Sequence, residues 1–335
     1  MVWSNATRSE RMCVMNSGVY IKSVFDVLES SDLDTYIYDL ELRQDTLKEM
    51  FAEIPQRATE FSAGYDLAVL NDEVIPAHES RIITFGHSIL IENPAVTGVI
   101  VPRSSLAKKK GLLIAGGPQH IYKGQGYSCL AYKFINYSDT DAILKAGDKI
   151  AQVVFIKYPS WILGDFDAMC DIETADMSVL PDPLDATYMS PLLNNNLEFM
   201  DPDIKMEPDT TNRVLYNFQA LDNVELEPAK VYCLMTGIRA RFGKDQVFIL
   251  KNAFNNPCVE LANSIGVIDS DYYGNSDNGG EIGVLLLNRG HLPVKVNKGD
   301  TIASGAIYFY EKIDNDQYGG RRVGGFGSTD KKFCK

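Results

Sequence analysis

The sequence predicts an all-β protein built from two copies of one sandwich- or barrel-type domain. Three observations predict it. Short runs rich in β-branched and aromatic residues ("SRIITF", "TGVIVP", "SCLAYKFIN", "KIAQVVFIKY") are separated by Gly, Pro, Asn and Asp, the spacing of a many-stranded sheet protein. The chain also repeats itself: "TGVIVPRSSLAKKKGLLIAGGPQHIYKG…LKAGDKIAQVVFIKY" returns as "KDQVFILKNAFNNPCVELANSIGVIDSDYYG…VNKGDTIASGAIYFY". Gly124 matches Gly274 at an offset of 150, and Gly147-Asp148 matches Gly299-Asp300 at an offset of 152, a near-constant period that marks an internal duplication. Finally, 335 residues suit two domains better than one.

In chain order, residues 1–57 form an N-terminal extension that matches neither copy. It mixes strand-like "GVYIKSVF" and "DTYIYDLEL" with a helical "QDTLKEMFAE" and is assigned no role. The first copy spans 58–160. Residues 161–210 read as an acidic connector with Pro181, Pro183, Pro191, Pro202 and Pro208 and the run "LLNNNL". From Ser160 to Asp209 there are twelve acidic residues and one lysine, so −11 of the chain's net −13 lies there. The second copy spans 211–312, and a flexible Gly-rich arm follows at 313–335.

Composition narrows the function classes. A net charge of −13 argues against a nucleic-acid partner. No apolar run approaches the roughly 20 residues that cross a bilayer, and the N-terminus lacks a signal-peptide core. The six cysteines form no CxxC pair and no Cys/His cluster, and read as reduced thiols of a cytoplasmic or nuclear, non-secreted protein. The four histidines are scattered, and none is assigned to catalysis.

The two copies divide their chemistry. Aligned by eye, Arg103, Ser104 and Ser105 fall opposite Lys251, Asn252 and Ala253, and Gln152 falls opposite Ser304. Asp66 falls opposite Asn217, and Gln119 and Ile121 opposite Asp269 and Asp271. One copy keeps phosphate-type groups and the other keeps the acids, which points to a single composite site between them. The arm segment "GGRRVGGFGSTD" (319–330) adds glycines, hydroxyls and arginines suited to folding over a polyphosphate. It lacks the lysine and following helix of a P-loop.

Five segments together resemble the dUTPase (dUTP diphosphatase) family: "SAGYDL" (62–67), "PRSSLAKKKG" (102–111), "GDKIAQ" (147–152), "GVIDSDYYG" (266–274) and "GGFGSTD" (324–330). The resemblance implies tandem dUTPase-like jelly rolls. It is closer to the duplicated, monomeric herpesvirus-type enzymes than to the usual trimers, although here the acidic motif lies in the second copy rather than the first. It implies hydrolysis of dUTP to dUMP and diphosphate, with Asp269 activating a water against the α-phosphorus. Arg103, Ser104, Ser105 and Gln152 would contact the phosphates, Gln152 alternatively serving only backbone groups at its strand. Asn263 and the main chain of 263–268, Gly266 and Ile268 included, would read uracil. Tyr272 would pack under the deoxyribose, with Tyr273 on the opposite face. In the arm, Phe326 would stack on the base, and Arg321, Gly327, Ser328 and Thr329 would hold the outer phosphates. The family arginine aligns with Arg321, one residue from Arg322. Mg²⁺ is the implied cofactor, carried mainly by the triphosphate, with Asp66 in outer-sphere contact. Asp271 would be either a second acid or a turn acid bonding local N–H groups, and Lys108–Lys110 a solvated face. Two other readings stay open: a dCTP deaminase relative, or a catalytically dispensable viral derivative acting as a host-protein binder.

Overall fold

The computed structural model describes residues 17–29, 44–123, 128–157, 197–199, 207–208, 215–320 and 322. The β-rich runs of the first copy fold as strands Gly64–Ala68, Glu73–Ile75, Ser80–Ile91, Val96–Pro102, Leu112–Ile114, Gln119–Ile121, Ser128–Asn136, Ala142–Leu144 and Lys149–Lys157. Those of the second copy fold as Tyr216–Gln219, Val224–Leu226, Val231–Ala240, Gln246–Asn252, Val259–Leu261, Gly266–Asp269, Glu281–Asn288, Val294–Val296 and Thr301–Glu311.

The pairing repeats with the sequence. Ser80–Ile91 pairs with Ser128–Asn136, which pairs with Leu112–Ile114. In the second copy Val231–Ala240 pairs with Glu281–Asn288, which pairs with Val259–Leu261. Lys149–Lys157 lies between Gly64–Ala68 and Val96–Pro102, and Thr301–Glu311 lies between Tyr216–Gln219 and Gln246–Asn252. The result is two jelly-roll barrels of the same plan. Each has its own core, around Leu67, Phe85, Phe134 and Phe155 in the first and Phe218, Leu226, Phe248 and Leu286 in the second. Cutting one of these phenylalanines to Ala removes about 3–5 kcal/mol. The equivalent "GD" turns require glycine, since Gly147 and Gly299 hold φ of 87° and 88°, a region that side chains with a Cβ rarely adopt.

Register corrects the alignment made by eye. Gln152 pairs with Val101 and Ser304 with Lys251, so Lys251 occupies the place of Val101, and Arg103 faces Ala253. Ile100 pairs with Gln119 and Leu250 with Gly266, so Gln119 is the counterpart of Gly266, and Asp269 corresponds to Tyr122. The sequence alignment slipped by two and three residues in short strands where small apolar residues match equally well in several registers. The division of chemistry survives, because neither register gives the first copy an acid opposite Asp269.

Segments outside the repeat also build sheet. Val19–Ser23 runs antiparallel to Ser80–Ile91, and Leu197–Phe199 runs antiparallel to Val231–Ala240 in the corresponding place of the second barrel. The expected helix forms at Gln44–Phe51 and packs Leu47 and Phe51 against Ala68 and Leu70. The run "DTYIYDLEL" and most of the acidic connector lie outside the described residues.

The barrels join edge to edge. Phe155 pairs with Glu311 and Ile156 with Tyr310, merging the two sheets. Ala63, Val154, Val247 and Tyr310 form one apolar patch between the barrels, and Ala107, Leu113, Ala262, Leu285 and Leu287 a second. Strand Val96–Pro102, between Lys149–Lys157 and Gln119–Ile121, is buried along its whole length and carries a continuous apolar run instead of alternation. After its last strand the chain turns back onto the first barrel, where Ile313 enters the core and Tyr318 bridges to Arg57.

Candidate functional site

Arg103 is the last extended residue before helix Ser104–Lys110, with φ −63° and ψ 140°. The strand end therefore points its side chain out of the sheet edge. Asp66 orients it: Asp66 Oδ2 stands 3.4 Å from Arg103 Nη1 and 3.4 Å from Lys149 Nζ. Gln152 lies directly across from Asp66 in the strand pair. Its side chain covers the backbone of Gly64, where a Cβ would come within 2.3 Å of Gln152 Oε1. Glycine is the residue that leaves Gln152 this position.

In the second barrel, strand Gly266–Asp269 ends at the acid and the chain enters a 3-10 turn, Ser270–Tyr272. The turn, not strand alternation, separates the two tyrosines. Tyr272 points inward and is 8% exposed. Its hydroxyl donates to the Glu281 carbonyl at 3.0 Å and accepts from Asn278 Nδ2 at 2.9 Å, which fixes the ring. Tyr273 turns away, with the guanidinium groups of Arg239 and Arg241 over its ring at 5.1 and 4.9 Å.

These elements meet at one cavity of about 110 Å³. Asp66, Arg103, Ser104 and Gln152 line it from the first barrel; Asn263, Gly266, Ile268, Asp269 and Tyr272 line it from the second. Arg322, just past the second barrel, closes one side. Ser105 is buried and faces the adjoining cleft rather than this cavity. Arg321, Phe326, Gly327, Ser328 and Thr329 lie outside the described residues.

The carboxylates are held by the loop that opens the first barrel and by the C-terminal segment. Asp269 Oδ1 accepts the Ala63 N–H at 2.8 Å, and Oδ2 accepts from Arg322 Nη2. Asp271 Oδ2 accepts from the Thr59 hydroxyl at 2.6 Å, and Oδ1 from Arg322 Nε at 2.5 Å. Asp271 is thus tied across the barrel interface and is not a turn acid satisfied by local N–H groups. Burial pushes the Asp269 carboxyl up; Arg322 and the Ala63 N–H pull the other way, and the neighbouring Asp271 adds to the rise, leaving it above the usual aspartate range. Arg322, despite burial, is kept charged by the two carboxylates.

Sequence reasoning missed the loop that makes these contacts. Thr59 lies just before the "SAGYDL" motif, and Ser62 and Ala63 open it ahead of the strand at Gly64; the hydroxyl and small residues of "RATEFSAG" were the signal available. Arg322, the neighbour of the expected phosphate-binding Arg321, is the arginine on the acids; Arg321 itself lies outside the described residues. Among the described residues, no three His, Cys, Asp or Glu side chains gather where they could hold a metal ion.

Comparison with known proteins gives the family of the chain. A family model described as dUTPase matches residues 51–174. A deoxyuridine 5'-triphosphate nucleotidohydrolase of Lactococcus lactis subsp. lactis (strain IL1403) is 33% identical over 119 residues, 34% of this chain and 79% of the relative. The chain belongs to the dUTPase family. The correspondingly named protein of Paramecium bursaria Chlorella virus 1 is 38% identical over 104 residues, 31% of this chain and 70% of the relative. The crystal structure of a dUTPase from Streptococcus mutans shares 25% identity, with a TM-score of 0.33, and the match covers 36% of this chain and 98% of that one. The family match takes in Asp66, Arg103, Ser104 and Gln152 of this dUTPase-family chain and ends well before Asp269.

Proposed function

We propose that the protein hydrolyses dUTP to dUMP and diphosphate at one composite site per chain, and that it works as a monomer. The observation that carries this reading is the shared cavity: Asp269 of the second barrel faces Arg103, Ser104 and Gln152 of the first. Neither barrel holds both sets.

Asp269 takes the proton of a water that attacks the α-phosphorus in line, and diphosphate leaves. General-base assistance of this kind is worth about 10²–10⁴-fold. Arg103, Ser104 and Gln152 stabilise the charge that builds on the phosphate oxygens. Arg322 bonds both carboxylates. The triphosphate offers that guanidinium a competing anion, and its departure leaves Asp269 Oδ2 free to accept the proton.

Uracil is read by Asn263 and the main chain of 263–268, Gly266 and Ile268 among them. A buried site whose polar groups match uracil leaves them unpaired against cytosine, a mismatch that can reject by about 10⁴–10⁵-fold. The Tyr272 ring, fixed by Glu281 and Asn278, floors the sugar and excludes a 2′-hydroxyl.

Asp66 already pairs with Arg103 and Lys149, and among the described residues no three His, Cys, Asp or Glu side chains gather to cage an ion. That donor set fits a Mg²⁺ brought in on the triphosphate and touched by Asp66 through water, not an ion caged by protein. When bound, the ion offsets triphosphate charge and so stabilises the departing diphosphate.

The test is diphosphate release from dUTP, dCTP and dTTP side by side, with Asp269→Asn as the variant. Turnover of dUTP alone, lost about 10²–10⁴-fold in the variant with binding of a non-hydrolysable dUTP analogue retained, is the expected result. Ammonia from dCTP, or near-normal turnover by Asp269→Asn, would reject it. Light scattering should show a single chain; an obligate trimer would move the shared site between subunits.

A further inference from the structure

Among the described residues Arg57 is the largest fully buried side chain outside the two barrel cores, and it belongs to none of the five motifs. Its guanidinium uses both sides. Nη1 donates to the carbonyls of Thr59, Glu60 and Ser62 at 3.3, 2.6 and 2.8 Å. Nε and Nη2 donate in parallel to the two Asp316 oxygens at 2.7 and 2.5 Å. Asp316 Oδ1 also accepts from the Tyr65 hydroxyl at 2.6 Å. The main chain follows the same path: the Arg57 N–H donates to the Gln317 carbonyl and the Gly319 N–H to the Arg57 carbonyl, each at 2.9 Å.

The loop gathered by these bonds, residues 59–63, is the one that holds the acids. It supplies the Ala63 N–H to Asp269 and the Thr59 hydroxyl to Asp271. The segment clamped on the other side, 316–319, leads directly to Arg322, which bonds the same two carboxylates. Three carbonyls converging on one guanidinium cannot stay together in a dry interior without it, because each would lose its hydrogen-bond partner. Lysine cannot replace it: a single ammonium has three donors and no planar fork to span a carboxylate and three carbonyls.

We infer that Arg57 is a positioning residue for the reaction: it sets the loop that aims Asp269 and, through Asp316, the point from which the C-terminal segment reaches the same acid. This rests on the proposed dUTP hydrolysis, and it adds a residue that touches neither substrate nor reacting atoms. A misplacement of about 1 Å in a catalytic group can lower the rate about 10²-fold. The phosphate-contacting residues sit on other strands and need not move with the loop.

The experiment compares wild type, Arg57→Lys and Asp316→Asn for steady-state hydrolysis of dUTP, each below its own melting temperature with the folded fraction measured. For Arg57→Lys, kcat is expected to fall by at least about tenfold with KM within about threefold. Asp316→Asn leaves the carbonyl bonds in place and loosens only the anchor, so its kcat falls less, by more than threefold. If Arg57→Lys does not fold, Asp316→Asn decides. A folded variant with wild-type kcat, or a loss confined to KM, overturns the positioning role. Wild type that releases no diphosphate overturns the proposed function itself, so the two failures are distinguishable.

Discussion

Gln152 faces Asp66 across one strand pair of the first barrel, and Ser304 faces Asn217 at the equivalent place in the second. The scaffold is duplicated and the chemistry is not. At the second position the amide and the carboxylate have become a hydroxyl and an amide, and Ser304 is buried at 2% exposure. The counterpart of Asp269 in the first barrel is Tyr122, so the mirror arrangement has no base. One nucleotide should therefore bind per chain, read by calorimetric titration with a non-hydrolysable dUTP analogue. Gln152→Ala should lower kcat/KM by about 10–100-fold, the worth of a hydrogen bond to a charged group, while Ser304→Ala leaves it within about twofold. Two sites per chain, or equal losses in the two variants, would contradict the division.

Gly64 and Gln152 are coupled sterically. An added methyl at 64 must displace the Gln152 amide, since 2.3 Å is far inside contact distance. Gly64→Ala should reduce kcat/KM about as much as Gln152→Ala does, with a stability loss of about 1–3 kcal/mol from overpacking. In a double-mutant cycle the two kinetic effects should not add, because the methyl harms activity by moving a side chain that Gln152→Ala has already removed. Additive losses would mean that Gly64 acts by another route.

What the sequence revealed and concealed has physical reasons. The division between Arg103 and Asp269 was readable because each motif is local: a strand end feeding a helix, and a strand end feeding a turn. The barrels were readable because their strands carry the apolar pattern twice. The short strand Leu197–Phe199 left too little pattern to be seen. The loop 59–63 was hidden for a different reason. The N–H that it gives Asp269 comes from the Ala63 main chain, and any residue but proline could donate it. Arg57 was hidden because its partner Asp316 lies 259 residues away, and a lone arginine in sequence is ordinarily a surface residue.

The pH profile should carry the signature of Asp269. The base works only when ionised, so the acid limb of kcat/KM tracks the carboxyl in the free enzyme. Burial raises that carboxyl above the ordinary aspartate value of 3.8, so the limb should lie above that of an exposed aspartate. The groups facing Asp269 are Arg322, Asp271, Ser62, the Ala63 N–H and Tyr310. Of these Arg322 is the cation that favours the ionised form, so Arg322→Gln should carry the limb to still higher pH by about one unit or more. A limb that stays in place would show that Arg322 leaves Asp269 in the working enzyme at all stages.

Asp316 should make stability depend on acid in the opposite sense. Burial alone would raise its carboxyl, but the bonds from Arg57 and Tyr65 and the nearby positive charge hold it below the ordinary value of 3.8. A carboxyl depressed in the folded state stabilises the fold at every pH above its unfolded value. That contribution drains away as pH falls from about 4 through the folded value. Asp316→Asn removes it and leaves the Arg57 guanidinium buried with no counter-charge, a loss of about 3–5 kcal/mol for a broken buried pair. In denaturant unfolding the gap between wild type and Asp316→Asn should be full at pH 7 and shrink as the pH is taken below 4. A gap that stays constant into acid would mean that the carboxylate's charge contributes nothing, and that only the shape of the Arg57 clamp matters.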